Sequence, residues 1–291
     1  MTASSAAWIA EARRRFTEAG LADPAVDARV LIAGLLDLTA TDLLVSRDRP
    51  VTEVQEERIR EAIERRIARE PVHRILGHRG FYGIELDLSA ETLEPRPDTE
   101  LLVDRTLPHL KRIIAEKGSA RVLDLGTGTG AICLALLHEC PEARGVGCDI
   151  SADALATARK NARKNGLSDR FEAISSSWFE NVEERYDVIV SNPPYIRTSI
   201  ISTLDPEVRD FDPPAALDGG ADGLDAYRAI AAGAKQFLQA RGVVGVEIGY
   251  DQKDPVTAIF FSHGFDLLEA AKDFGHNDRV LMFASGGCAM N

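Results

Sequence analysis

The sequence predicts an α/β protein: mostly parallel strands alternating with helices, preceded by a small all-helical segment and a β-hairpin. Three stretches carry this expectation. Residues 121–130, Arg-Val-Leu-Asp-Leu-Gly-Thr-Gly-Thr-Gly, place glycines at alternate positions directly after an apolar run, and Ala131-Ile-Cys-Leu-Ala-Leu-Leu-His-Glu then reads as a helix. Residues 145–150, Gly-Val-Gly-Cys-Asp-Ile, form a second apolar stretch containing Asp149. Residues 186–191, Tyr-Asp-Val-Ile-Val-Ser, form another, followed at once by Asn192-Pro-Pro-Tyr195. Short apolar runs between glycine turns and helical patterns are how buried parallel strands read.

In chain order, residues 1–75 read as a helical domain. Ala6 to Ala19 is one helix, closed by Gly20. Asp23 is suited to cap a second, with Pro24 at its first position, and a short one covers Thr41 to Val45. Thr52 and Gln55 form a capping-box pattern before a longer helix, in which Ile59, Ile63 and Ile67 make one stripe and Pro71 ends the run. Residues 76–95 read as a β-hairpin linker, from the alternation through Ile84, Leu86 and Leu88. The α/β domain is placed at residues 96–284. Pro95 and Pro97 enforce an extended turn around Arg96, after which Asp98 or Thr99 caps a helix over residues 100–106. A helix opened by Ser151 runs to about Lys164, and a strand follows at Phe171 to Ile174. Residues 196–224 are polar, rich in proline and glycine, and too long for an ordinary connection; they read as a cover over a pocket. A helix from Asp225 to Ala240, a strand from Val243 to Ile248, a helix from Asp254 to Ser262, and strands at Phe265 to Glu269 and Arg279 to Phe283 complete the domain. Residues 285–291 are expected to be a mobile tail.

Composition bounds the function. The chain has 291 residues, of which 45% are hydrophobic, enough for a sizeable core in one large or two modest domains. A net charge of −12 argues against a broad nucleic-acid surface. Cys133, Cys140, Cys148 and Cys288 show no C-x-x-C spacing, which fits a reducing cytosol and no structural zinc. The first residues run into Glu11-Ala-Arg-Arg-Arg, the wrong order for a signal peptide, and no stretch is long enough to span a membrane. A cytoplasmic monomer without membrane or direct nucleic-acid partners is expected. None of the histidines is spaced as a metal pair, and neither Gly-x-Ser-x-Gly nor H-E-x-x-H occurs.

Strand, glycine turn and helix together bring a ligand close to bare backbone at a helix N-terminus. A dinucleotide fingerprint has its last glycine at the sixth position. Here the spacing is G-x-G-x-G, with Asp124 two residues before the first glycine. This resembles the first motif of the class I methyltransferases that use S-adenosylmethionine (SAM). The resemblance implies that Gly126, Thr127, Gly128, Thr129 and Gly130 cradle the amino-acid end of that cofactor; a nucleotide loop or an ordinary β-α turn is the alternative. Asp149, about twenty residues past the loop, can accept both hydroxyls of a ribose, as SAM and NAD alike require. The alternative is an acid at a helix N-terminus.

Asn192-Pro-Pro-Tyr195 resembles the substrate motif of methyltransferases acting on a nitrogen conjugated to a planar group: adenine N6, cytosine N4 or the glutamine amide. Such an NH2 is a poor nucleophile that keeps its protons until the methyl arrives. It is helped by two acceptors that hold its N–H bonds and aim the nitrogen. The Asn192 side-chain carbonyl and the Pro193 backbone carbonyl can do this. Pro193 and Pro194 fix φ and pre-position them, and Tyr195 can pack its ring on the planar group.

Together with Pro95-Arg-Pro-Asp-Thr-Glu100, Pro71-Val-His-Arg-Ile-Leu-Gly, Phe81-Tyr-Gly and Asp212-Pro-Pro-Ala-Ala-Leu-Asp-Gly-Gly, the chain resembles the protein-(glutamine-N5) methyltransferase family, PrmC/HemK, over about residues 20 to 284. The resemblance implies a class I, Rossmann-like domain with a seven-stranded, mostly parallel sheet and one antiparallel strand. It implies SAM as cofactor and S-adenosylhomocysteine (SAH) as product. It also implies peptide-chain release factors as partners, methylated at the glutamine of Gly-Gly-Gln. By the same likeness Trp178 lies beside the adenine, the alternative being a core tryptophan, and Asn192 serves substrate and cofactor alike. Two departures stand out: Glu94 where an aliphatic residue is usual, and Ser175-Ser-Ser where an aspartate is common. An adenine-N6 DNA or RNA methyltransferase, a glutamine methyltransferase of a ribosomal protein, and a SAM-binding scaffold without catalysis are the competing readings.

Overall fold

The computed structural model describes residues 4–39, 41–42 and 49–286. Most of the short helix expected over Thr41 to Val45, the residues of the tail beyond Gly286, and Cys288 lie outside the described residues. The chain divides into two compact units, Met1–His78 with Asp205–Phe211, and Arg79–Leu204 with Asp212–Asn291.

The first unit is helical: α1 (Ser5–Glu18), α2 (Pro24–Leu35), α3 (Glu53–Ile67) and α4 (Val72–Leu76). Trp8, Ala12 and Phe16 of α1, Leu31 and Ile32 of α2, and Ile59 and Ile63 of α3 recur at helical spacing and share one core. The capping box forms as the sequence predicts: the Thr52 hydroxyl accepts from the Gln55 N–H, and the Gln55 side chain accepts from the Thr52 N–H at 3.0 Å. Asp23 makes no side-chain cap bond; its backbone carbonyl takes the Val26 and Asp27 N–H groups instead. The buried Arg66 donates to Asp27 at 2.8 Å and to Glu207 at 3.2 Å, which ties the one-turn helix Pro206–Arg209 into this unit.

The second unit begins within β1 (His78–Phe81), which pairs with β2 (Ile84–Asp87) in a hairpin turned by Tyr82 and Gly83, both at positive φ. Positive φ at both turn residues matches the right-handed twist of the strands. After it come α5 (Glu100–Lys117), β3 (Ala120–Leu125), α6 (Ala131–Glu139), β4 (Ala143–Asp149), α7 (Ala152–Lys164), β5 (Phe171–Ser175) and β6 (Tyr186–Ser191). Then follow α8 (Asp225–Phe237), β7 (Leu238–Glu247), α9 (Lys253–Ser262), β8 (Phe265–Lys272) and β9 (Asp278–Ser285). The seven-stranded sheet has the order β5-β4-β3-β6-β7-β9-β8, and β9 runs antiparallel to both neighbours. Alternate strand residues feed opposite faces. Val122, Val188 and Val243 meet α5, α6 and α7 on one side; Leu123, Ile189 and Val244 meet α8 and α9 on the other.

Among the elements that run longer than the sequence expects, two stand out. Helix α5 continues to Lys117 through Pro108, because Leu107, Leu110 and Ile113 extend its buried face past the proline. Strand β7 starts at Leu238, which pairs with Tyr186; the ladder then shifts register, with Arg241 at φ 67°, before Val243 pairs with Val188. The expected cover, residues 196–224, holds a 3-10 turn (Thr198–Thr203) and two one-turn helices, Pro206–Arg209 and Pro214–Leu217, each begun by proline. No helix among the described residues is long and apolar enough to cross a membrane.

Candidate active site

Open α/β sheets bind ligands beyond the carboxyl ends of their strands, where the chain order reverses. Strand β3 sits between β4 and β6, so that place lies between the ends of β3 and β6. The loop after β3 folds over the end of β4: the Gly126 and Thr127 N–H groups both donate to the Cys148 carbonyl at 2.9 Å. Gly126 and Gly128 take φ of 69° and 54°, and nothing lies within 4 Å of the place a Cβ would occupy, so the loop presents an open edge. Gly130 differs: a Cβ there would stand 2.9 Å from Leu134 Cδ1, so this glycine serves the packing of α6. Asp124 braces the loop from beneath. Its Oδ2 accepts from the Thr127 hydroxyl at 2.8 Å and from the Cys133 N–H at 3.3 Å. Burial pushes this carboxyl up to about 7, and its Oδ1 has no partner among the described residues.

Asp149 stands at the tip of β4. Its Oδ2 accepts from the Gly128 N–H and its Oδ1 from the Ser151 N–H, each at 2.9 Å. The cap of α7 is Ser151, whose hydroxyl accepts from the Ala154 N–H. Capping is therefore done by a neighbour, and the half-buried Asp149 carboxylate faces the cavity with lone pairs to spare. Trp178, at φ 51°, lies on the same wall, packed against the α8–α9 core face.

Across the cavity, Ser191 donates from its hydroxyl to the Leu125 carbonyl at 2.7 Å and locks the ends of β3 and β6 together. Asn192 follows, donating from Nδ2 to the Thr99 hydroxyl at 3.2 Å, which leaves its carbonyl oxygen as an acceptor. Thr99 precedes α5 without making the expected cap bond; its hydroxyl is engaged here instead. Arg96 pairs with the buried Asp212 at 3.0 Å, joining the Pro95–Thr99 turn to the helix Pro214–Leu217.

These walls enclose a cavity of about 430 Å³. Of the residues singled out from the sequence, Gly126, Thr127, Gly128, Thr129, Asp149, Trp178, Asn192 and Pro194 line it. Gly130, Pro193 and Tyr195 do not. Pro193 is buried, and Tyr195 packs on the apolar core, where burial pushes its phenol up to about 12. Leu93, Pro95, Thr99, Pro213 and Ala215 are among the other lining residues. The open glycine edge and the Asp149 carboxylate suit a nucleoside with vicinal hydroxyls, and the Asn192 carbonyl suits an N–H donor at the opposite wall.

Comparison with known proteins accords with this geometry. Residues 7–77 match the model of the PrmC N-terminal domain, and residues 99–204 that of the methyltransferase small domain. A release factor glutamine methyltransferase of Agrobacterium fabrum is 63% identical over 281 residues, covering 97% of either chain. One from Caulobacter vibrioides is 40% identical, covering 95% of this chain and 94% of the relative. The chain belongs to the release factor glutamine methyltransferase family. A methyltransferase from Pyrococcus furiosus shares the fold at a TM-score of 0.53 and 18% identity, over 81% of this chain and 100% of that one.

Both departures from this family's usual pattern have local partners. The buried Glu94 is held by an ion pair with Arg79, which balances its charge. Ser176 donates to the Trp178 carbonyl and accepts from the Asn181 N–H, each at 3.0 Å, which shapes the turn that carries the tryptophan.

Proposed function

We propose that this enzyme transfers the methyl group of SAM to the side-chain amide nitrogen of the glutamine in the Gly-Gly-Gln motif of peptide-chain release factors, leaving SAH. The observation that carries the reading is Asn192-Pro-Pro at the carboxyl end of β6, facing the glycine loop across one cavity, in a chain 63% identical to a release factor glutamine methyltransferase over almost its whole length. SAM supplies an electrophilic methyl on a sulfonium. The Gly126–Thr129 edge holds its amino-acid end, Asp149 accepts from its ribose, and Trp178 lies against its adenine. The Asn192 side-chain carbonyl, at the cavity wall, accepts an N–H bond of the incoming amide and aims the nitrogen. Its dipole stabilises the positive charge that builds on nitrogen before a proton is released. The helical residues 1–75 recognise the release factor.

The test uses purified enzyme, methyl-labelled SAM and three substrates: a release factor, the same factor with the Gly-Gly-Gln glutamine changed to alanine, and duplex DNA. Label in the first alone is the expected result. Label in DNA, or in both protein forms alike, would overturn the choice of substrate.

A further inference from the structure

Asn192 is useful only one way round. Its carbonyl must face the cavity to accept an N–H; turned over, the same side chain would present a donor to a donor. Nothing in Asn192 itself decides this. The decision comes from Thr99, to which Nδ2 donates at 3.2 Å. A threonine hydroxyl has one proton and spare lone pairs. It accepts from Asn192 reliably only if its own proton is committed elsewhere.

That proton has a destination. The Thr99 hydroxyl lies against the carboxylate of Glu247, at the end of β7, and favours its charged form. Val246 pairs with Ser191 in the sheet, so Glu247 is level with Asn192 on the neighbouring strand. Glu247 is 1% exposed, and its Oε2 has no hydrogen-bond partner among the described residues. A buried acid in an otherwise apolar strand costs stability unless something offsets it. Glu247 is the one charged residue in the run Gly-Val-Val-Gly-Val-Glu-Ile-Gly.

We propose that Glu247 is a positioning residue for methyl transfer, acting through Thr99 to hold the Asn192 carbonyl toward the substrate amide. The inference rests on the function proposed above. While Glu247 is ionised it can only accept, so protons point one way along Asn192, Thr99 and Glu247. Once protonated, Glu247 can donate to Thr99. The hydroxyl can then donate to Asn192, and the amide turns its NH2 into the cavity. Charged and titratable groups face Glu247 from every side: Arg279 on β9, Arg96 and Asp98 before α5, and Tyr195 after β6. The Tyr227 hydroxyl of α8 donates to the Glu247 backbone carbonyl at 2.9 Å. Burial outweighs the two arginines and raises the carboxyl to about 7, so the relay reverses within the neutral range.

The test compares wild type, Thr99→Val, Thr99→Ser and Glu247→Gln, reading SAH affinity and kcat on a release factor at saturating SAM between about pH 6 and 8.5. Wild-type kcat is expected to rise with pH through about 7. Thr99→Val is expected to lower kcat roughly ten- to a hundredfold with SAH affinity unchanged within about twofold, and Thr99→Ser to restore most of it. Glu247→Gln is expected to abolish the pH step. Wild-type kcat in Thr99→Val, or a pH step that survives in Glu247→Gln, would overturn the relay. If Thr99→Val fails to fold, the nearly isosteric Glu247→Gln decides alone. Wild-type turnover separates the two levels: label on the glutamine with indifferent variants refutes the relay only, whereas no label refutes the functional reading and the relay with it.

Discussion

Replacing Asp149 by alanine gives the sharpest quantitative consequence of the site. The carboxylate accepts from two backbone N–H groups, Gly128 and Ser151, and in the proposed complex from two ribose hydroxyls. A hydrogen bond to a charged group is worth about 1.5–3 kcal/mol, so losing both ribose bonds removes about 3–6 kcal/mol of binding. Asp149 is only half-buried and water can partly substitute, which favours the lower half of that range. At 1.4 kcal/mol per decade, SAH affinity should fall roughly 10²–10³-fold. The two orphaned amides cost about 1 kcal/mol each, and a fall in Tm of about 2–4 °C per kcal/mol follows for a unit of this size. Isothermal titration with SAH and a melting curve separate the two effects. Asp149→Asn, which keeps one acceptor oxygen, should fall between. An Asp149→Ala protein that binds SAH within about threefold of wild type would refute the ribose assignment.

Other outcomes follow from the same geometry. Asn192→Ala should retain SAH affinity while losing most turnover; an active variant would sink the acceptor mechanism. In Gly147→Ala the new Cβ would lie 2.6 Å from Thr127 Oγ1 and 2.9 Å from Phe171 Cζ, so overpacking should cost about 1–3 kcal/mol and weaken SAH binding by displacing the loop, read by melting and titration. Asp124 is neutral-favouring in the fold, so its contribution to stability is fully present below the ordinary carboxylate range and is lost as pH rises through about 7. Denaturant titrations should show wild type losing stability relative to Asp124→Asn over that interval, by at most about 4 kcal/mol. Removing residues 1–75 should lower kcat/KM on the release factor; an unchanged value would leave that segment a purely structural role.

Features written in contiguous residues were readable in advance. The glycine loop, the acid at the end of β4 and the motif after β6 each follow their own strand within a few positions, and a sheet of this kind leaves one place for them to converge. Contacts made across strands were not. Thr99, Asn192 and Glu247 are far apart in the chain and meet only because α5 starts beside β6 and β7 lies next to it. A glutamate in an apolar strand was the available sign for Glu247, and the proline-flanked turn was the sign for Thr99, which instead read as a helix cap. Leu238 to Ala240 read as helix, since these residue types favour one; the ladder with β6 overrode that preference. The helix expected over residues 100–106 runs to Lys117, because a continuous buried face carries α5 past Pro108.

The hairpin at residues 78–87 is more than a connector between parts. Asn161 of α7 accepts from the Asp87 N–H at 2.8 Å and donates to the Asp87 carbonyl at 3.1 Å, and the same amide nitrogen donates to the Thr129 carbonyl at 2.9 Å. Phe81, Ile84 and Leu86 are sealed into the core over α6 and α7. One side chain therefore joins a ribbon near the start of the unit to the glycine loop, and the loop inherits its anchorage from residues some forty positions upstream. A chain cut at Pro97 would uncover the faces of α6 and α7 on which the hairpin packs and strip the loop of a support. The smallest autonomous transferase thus begins at the ribbon, and any graft of this glycine loop onto another scaffold must carry both the ribbon and α7.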